Sequence, residues 1–115
     1  MELSQSSYIS TFQEDGFYQA LLQTFSTDLP VVLETLGNQI VEQRYQEAEN
    51  LSHQMVGAAA TYGYPVLAGT FQILENACAK NPVVLSELEN PLETLGKICE
   101  KIVSIYSANT KDQAP

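Results

Sequence analysis

Residues 85–106 read LSELENPLETLGKICEKIVSIY, and the spacing of their apolar residues indicates the fold class of the chain. These apolar positions recur at alternating intervals of three and four: Leu85, Leu88, Leu92, Leu95, Cys99, Ile102 and Tyr106. Such intervals place side chains on one face of an α-helix, whereas a strand would require every second residue. The stretch therefore predicts amphipathic helix. We expect Asn90-Pro91 to divide it into a short helix and a final helix that ends near Ser107.

Three further segments upstream show the same helical spacing. The first follows Asp15, which we expect to be its N-cap, and Pro30 either kinks this segment or opens a second helix. The other two span about 45–62 and 65–80, and Gly63-Tyr64-Pro65 and Asn81-Pro82 end them. The predicted apolar seams are Phe17, Leu21, Phe25, Leu29, Val32, Leu36 and Ile40 in the first segment, Ala48, Leu51, Met55, Ala58 and Tyr62 in the second, and Leu67, Phe71, Leu74 and Cys78 in the third.

Four helical segments of roughly 16 to 28 residues with short connections are typical of a four-helix bundle. We therefore predict an all-α fold, an antiparallel up-down four-helix bundle with a short N-terminal helix or arm. A chain of 115 residues has room for one such core. The expected division is an arm over residues 1–14, the bundle over residues 15–107 and a disordered tail over residues 108–115.

Composition excludes several classes of function. Fourteen acidic and five basic residues give a net charge of −9, which disfavours binding to nucleic acids and to anionic membrane surfaces. We see neither an apolar run long enough to span a membrane nor a signal peptide, and we expect a cytoplasmic monomer. Cys78 and Cys99 fall on apolar helical positions and are predicted to be buried, reduced thiols.

The chain also lacks the residues of an ordinary enzyme. It has one histidine, no glycine-rich phosphate loop and no Gly-x-Ser-x-Gly nucleophile elbow. We therefore expect no metal site and no cofactor of its own.

The single histidine, His53, lies about 200° around its helix from the predicted seam at Leu51. The small residues beyond it include Gly57, and a glycine within a helix costs about 1 kcal/mol relative to alanine. Either another helix of the bundle packs closely against this face, or a partner protein approaches the imidazole. Periodicity leaves both interpretations open.

Residues 52–63 read SHQMVGAAATYG, and this segment resembles the phosphorylation segment of histidine-containing phosphotransfer (HPt) domains. The family pattern is a histidine, any residue, an apolar residue, usually a lysine, a glycine, small residues, and a second glycine six residues after the first. TYGYPVL at 61–67 and QILEN at 72–76 look particularly like the HPt domain of chemotaxis histidine kinases. The resemblance covers roughly residues 15–107.

The resemblance implies that His53 is phosphorylated and exchanges the phosphoryl group with receiver-domain aspartates in a two-component phosphorelay. A histidine side chain, with an ordinary pKa of ~6.5, offers a neutral nucleophilic nitrogen at cytoplasmic pH. A separate sensor or hybrid histidine kinase would supply the phosphoryl group, and Mg²⁺ would be bound by the receiver. Glu75 would hydrogen-bond the imidazole nitrogen that is not phosphorylated, Gln72 takes the place of a second polar ring, and Gly57 would give the receiver access.

One residue departs from the family pattern at a position that matters for chemistry. Val56 stands where the family usually has a lysine that pairs with the phosphoryl oxygens, and Ala58 replaces a small hydroxyl residue. Arg44 and Lys80, the nearest cations in sequence, are not obvious substitutes. The departure therefore favours a second hypothesis, an adaptor that docks receiver or kinase domains without being phosphorylated. A third hypothesis is a structural bundle in which His53 is incidental.

Overall fold

The architecture follows from four amphipathic helices that cover one another's apolar faces. The computed structural model describes residues 7–12 and 15–113, with side chains described up to Tyr106. That part of the chain forms α1 (Gln19–Val41), α2 (Tyr45–Thr61), α3 (Pro65–Ala79) and α4 (Leu85–Gln113), and it contains no strand. Helices α1 and α3 each contact α2 and α4, so the four surround one core. The predicted all-α helical bundle is confirmed.

The helix ends follow local sequence signals. Asp15 Oδ1 accepts a hydrogen bond from the Phe17 amide at 2.9 Å, although the cap belongs to a 3-10 helix over Gly16–Tyr18 that precedes α1. After α2, Gly63 has a φ of +82°, a conformation that glycine adopts without steric cost. Pro65 then occupies the first turn of α3, where its missing amide hydrogen loses no hydrogen bond.

The segment 7–12 lies against the turn between α2 and α3. The Thr11 amide donates to the Gly63 carbonyl at 2.8 Å, and the Ser10 hydroxyl donates to the Tyr62 carbonyl. A Cβ atom added to Gly63 would lie 2.5 Å from Thr11 Oγ1, so only glycine allows this close approach. Residues 1–6, 13 and 14 of the expected arm lie outside the described residues.

The core contains most of the predicted seams. All four seam residues of α3 are buried, and Cys78 and Cys99 are buried free thiols, as predicted. Burial raises the pKa of the Cys78 thiol to about 11, with a further contribution from the nearby Glu49 carboxylate. Burial also raises the pKa of the Cys99 thiol. Both groups therefore remain protonated at neutral pH and pack as small apolar side chains.

The prediction that Asn90-Pro91 divides the last segment is wrong. Helix α4 continues through Pro91, which is buried in the helix interior, so packing offsets the one hydrogen bond that proline removes. The helix also continues past Ser107 to Gln113, and residues 108–113 are helical rather than a tail. No glycine or proline stands between Gly96 and Pro115 to end it. Residues 114 and 115 lie outside the described residues. Pro30 is likewise accommodated within a single α1.

The seams of the first two segments need correction. Phe17 is 79% exposed and Leu21 is also exposed, whereas Leu22 is fully buried. The 3-10 helix before α1 turns by about 120° per residue rather than 100°, so a seam extrapolated through it loses phase. In α2 the most buried positions include Ser52 and Ala59, and the predicted seam residues Leu51, Ala58 and Tyr62 are half-buried. In α4, Leu85 is exposed at the first turn.

None of the helices in the described part of the chain is long and apolar enough to cross a bilayer.

Candidate functional site

The orientation of α2 decides which of its side chains reach solvent. The core-facing side of α2 is defined by its most buried residues, which are Ala48, Ser52, Met55 and Ala59. The centre of this side lies about 70° around the helix axis from Leu51. His53 then lies about 130° from the buried side. Its side chain is 75% exposed in the middle of the helix.

Glu75 on α3 is the partner of His53. The Glu75 Oε2 atom lies 3.0 Å from His53 Nδ1, and the Glu75 side chain is only 17% exposed. An ionised carboxylate can only accept, so Nδ1 must carry the hydrogen of this bond. In the neutral ring this leaves Nε2 with a free lone pair on a side chain that solvent reaches. The geometry prepares a nucleophilic nitrogen at the surface.

Gln72 contacts the carboxylate of Glu75 rather than the imidazole. Its Nε2 atom donates to Glu75 Oε1 at 3.2 Å and to Asn76 Oδ1 at 3.1 Å. Asn76 is a member of the cluster that the sequence analysis missed. Its spacing of four residues from Gln72, a common amide pair on helices, was the available signal.

Gly57 lies one turn beyond His53 on an open surface. A Cβ atom added to Gly57 would meet nothing within 4 Å, and the residue is exposed. The interpretation that another helix of the bundle packs closely against this face is therefore wrong for the described residues. Ala60, on the same face, is also exposed. The surface next to the imidazole therefore carries only small side chains at these two positions, and it is open to a partner.

A seam centred on Leu51 would place Val56 about 140° away from the buried side of α2, on the outer face, but the structure does not. Val56 is half-buried and packs against the core, because the buried side of α2 is rotated toward it. Its position is still one helical turn from His53. The site therefore has an aliphatic side chain on its flank where the family pattern has a cation.

The two cations closest to the site in sequence are engaged elsewhere. Arg44 pairs with Glu42 at 2.8 Å and with Glu47 at 3.0 Å. Lys80 pairs with Glu87 at the start of α4. Within residues 7–12 and 15–106, no three side chains of the metal-ligating types His, Cys, Asp and Glu come together. The site consists of an imidazole, a carboxylate and two amides.

The site therefore presents an exposed histidine, held by a carboxylate, on a domain of four helices. The family model described as Hpt domain matches residues 20–104. The chain belongs to the Hpt domain family, whose members are phosphotransfer domains of two-component signalling that interact with receiver domains and kinases. Searches of curated proteins and of solved structures gave no significant match.

Proposed function

We propose that this chain is a histidine phosphotransfer protein that is phosphorylated on His53 and exchanges the phosphoryl group with receiver-domain aspartates in a two-component phosphorelay. The observation that supports this most strongly is the pairing of an exposed His53 with Glu75 at 3.0 Å. The carboxylate orients the ring through Nδ1, and the exposure leaves Nε2 within reach of a partner, as phosphotransfer requires.

The proposed step is a reversible displacement at phosphorus. The lone pair of His53 Nε2 attacks the phosphorus of an aspartyl phosphate and forms an N–P bond. The P–O bond to the aspartyl carboxyl group breaks, and its electron pair stays on the released carboxylate. The hydrogen stays on Nδ1 and keeps its hydrogen bond to Glu75, whose negative charge balances the positive charge that develops on the ring. Transfer to a receiver reverses these changes.

The proposed reaction divides the chemistry between this chain and its partners. We propose that a sensor or hybrid histidine kinase supplies the phosphoryl group and that the receiver brings Mg²⁺, so the chain is a phosphocarrier rather than a stand-alone enzyme. Gly57 and Ala60 would let the receiver come close to the imidazole, because neither has a side chain that obstructs it. We further propose an antiparallel up-down bundle that acts as a cytoplasmic monomer, with no nucleic-acid or membrane partner.

One observation favours a second function, that of an adaptor that docks receiver or kinase domains without accepting phosphate. Val56 takes the place of the phosphate-pairing lysine, and both Arg44 and Lys80 are held in other ion pairs. A docking surface does not need that cation, whereas charge neutralisation of a phosphoryl group does.

Incubation with phosphorylated receivers or hybrid kinases distinguishes the two functions. Phosphotransfer predicts an acid-labile, base-stable phosphate on the wild-type chain and none on His53→Gln, with the helical circular dichroism signal unchanged. Gln54→Ala, a change at the exposed neighbouring position, is the matched control and should keep the phosphate. Receiver binding without any phosphate on the wild-type chain would support the adaptor instead.

A further inference from the structure

We propose that Gln72 is a positioning residue that acts through Glu75 to select the tautomer of His53. The inference rests on the proposed function, because it assigns Gln72 a part in preparing the nucleophilic nitrogen. Gln72 has no hydrogen bond to the imidazole of His53. Its effect on the ring would pass through the carboxylate of Glu75, which is hydrogen-bonded to both residues.

The hydrogen bonds at Gln72 establish the orientation of its amide. Glu75 Oε1 lies 3.2 Å from the amide nitrogen, and a carboxylate oxygen can only accept. A flipped amide would place its own oxygen against that carboxylate, so the NH₂ group must face Glu75. The second N–H of the same group donates to Asn76 Oδ1 at 3.1 Å. The two acceptors, on adjacent residues of α3, fix the amide in one orientation.

As a result, each carboxylate oxygen of Glu75 has a different hydrogen-bond donor. Oε1 accepts from Gln72, and Oε2 accepts from His53 Nδ1 at 3.0 Å. Rotation of the carboxylate away from His53 would therefore break two hydrogen bonds rather than one. With Gln72 absent, the carboxylate can turn toward water, and the ring loses its preference for a hydrogen on Nδ1. The fraction of His53 with a free lone pair on Nε2 then falls.

The imidazole tautomer can be measured without any partner or phosphate. His53 is the only histidine of the chain, so ¹⁵N-histidine labelling of tag-free protein gives one pair of ring signals. At a pH where the ring is neutral, the two nitrogen shifts report the ratio of the Nδ1–H form to the Nε2–H form. For Gln72→Leu we expect this ratio to fall by about two- to fivefold, the range for loss of one exposed hydrogen bond. For Gln72→Glu, which places a second carboxylate beside Glu75, we expect a larger fall.

Two further variants separate this role from a general effect on the helix. Gln72→Lys keeps a donor beside Glu75 Oε1 and should retain a ratio close to that of the wild type. Gln46→Leu removes a comparable pair on α2, in which Gln46 donates to Asn50 Oδ1 at 3.2 Å away from Glu75, and should leave the ratio unchanged. A ratio that is the same in Gln72→Leu and in the wild type would overturn the proposal. An equal change in Gln46→Leu would overturn it as well.

Phosphorylation kinetics provide the second readout. Phosphoramidate is a small donor that needs no docking surface: His53 Nε2 bonds to phosphorus while ammonia leaves with the electron pair of the broken P–N bond. Gln72→Leu should slow this reaction, by at most the two- to fivefold factor of the tautomer ratio, because the rate follows the fraction of rings in the Nδ1–H form. Combined with Glu75→Ala it should add no further slowing, since Gln72 acts only through Glu75. If Gln72→Leu slowed the reaction by the same factor in the Glu75→Ala protein as in the wild type, the proposal would be contradicted.

The two readouts also separate this proposal from the proposed function. If wild-type protein accepts no phosphate from either phosphoramidate or receivers, phosphotransfer fails, but the tautomer ratios still decide whether Gln72 orients Glu75. If phosphorylation proceeds and Gln72→Leu changes neither the tautomer nor the rate, the positioning role fails and phosphotransfer stands.

Discussion

A lysine at position 56 should speed phosphorylation of His53 or lengthen the half-life of the phosphohistidine, at a small cost in the free energy of unfolding. Val56 is half-buried against the core, and full burial of a valine side chain contributes about 1.5–3 kcal/mol. The methylene stem of a lysine can cover much of the same apolar surface while its ammonium group reaches water. Lysine is also the better helix former. We therefore expect Val56→Lys to lower the free energy of unfolding by about 1 kcal/mol or less.

The lysine would stabilise the phosphoryl group during its transfer to His53 and afterwards. A lysine one turn from His53 can donate to the phosphoryl oxygens, and an exposed pair of this kind contributes about 0.5–1.4 kcal/mol. That range corresponds to a two- to tenfold change in rate or in half-life. We expect faster phosphorylation of His53, slower hydrolysis of the phosphohistidine, or both.

The assay uses phosphoramidate as donor, so that no receiver contributes a cation. Acid-labile phosphate is followed over time for wild type, Val56→Lys and Val56→Gln, and urea unfolding of each gives its stability. Val56→Gln is the matched control, because its side chain is long and polar but carries no charge. Equal rates and half-lives for the lysine and glutamine variants would refute the reasoning that a missing cation limits the reaction. A loss of more than about 3 kcal/mol would show that Val56 is a core residue rather than a flank of the site.

Other predictions concern stability and thiol reactivity. Gly63→Ala should lower the free energy of unfolding by about 2 kcal/mol or more, since Gly63 combines a φ of +82° with Thr11 Oγ1 only 2.5 Å from the added Cβ. Gly57→Ala should raise it by up to about 1 kcal/mol in urea unfolding, because its Cβ would meet nothing within 4 Å. Cys78 and Cys99 should resist iodoacetamide at pH 8 in the folded protein and react in urea, since burial keeps both protonated. Because burial raises both thiol pKa values, that of Cys78 from 9.0 to about 11, the unfolded chain releases these protons first. Stability measured by urea titration should therefore fall as pH rises from about 9 toward 11.

Apolar periodicity predicted the buried side of α3 well, because large apolar side chains mark that side. All four α3 seam residues are buried, and the end of α2 before Gly63 follows from glycine conformation alone. Apolar periodicity located the α2 seam less well, because the centre of the buried side is occupied by Ser52 and Ala59. Hydrophobicity cannot distinguish such small residues from residues at the surface. That shift explains why Val56 is half-buried. Pro91 was misread as a break because local propensity takes no account of the packing that holds α4 together.

The site shows the same division between local and non-local information. The exposure of His53 follows from its angle on α2, and this angle is available from the sequence. Its 3.0 Å contact with Glu75 joins residues on different helices, so the spacing of residues within one helix does not predict it. The resemblance to HPt domains made it an expectation. The bond from Gln72 to Glu75 depends on side-chain rotamers and required the structure.

The proposed reaction requires that Glu75 holds the hydrogen on His53 Nδ1 and leaves Nε2 to accept the phosphoryl group. The most direct test is to phosphorylate ¹⁵N-histidine-labelled protein and to measure ³¹P–¹⁵N coupling, which identifies the nitrogen bonded to phosphorus. We expect a single phosphohistidine with phosphorus on Nε2 and the hydrogen retained on Nδ1. Phosphorus on Nδ1, or phosphate on a residue other than His53, would contradict it.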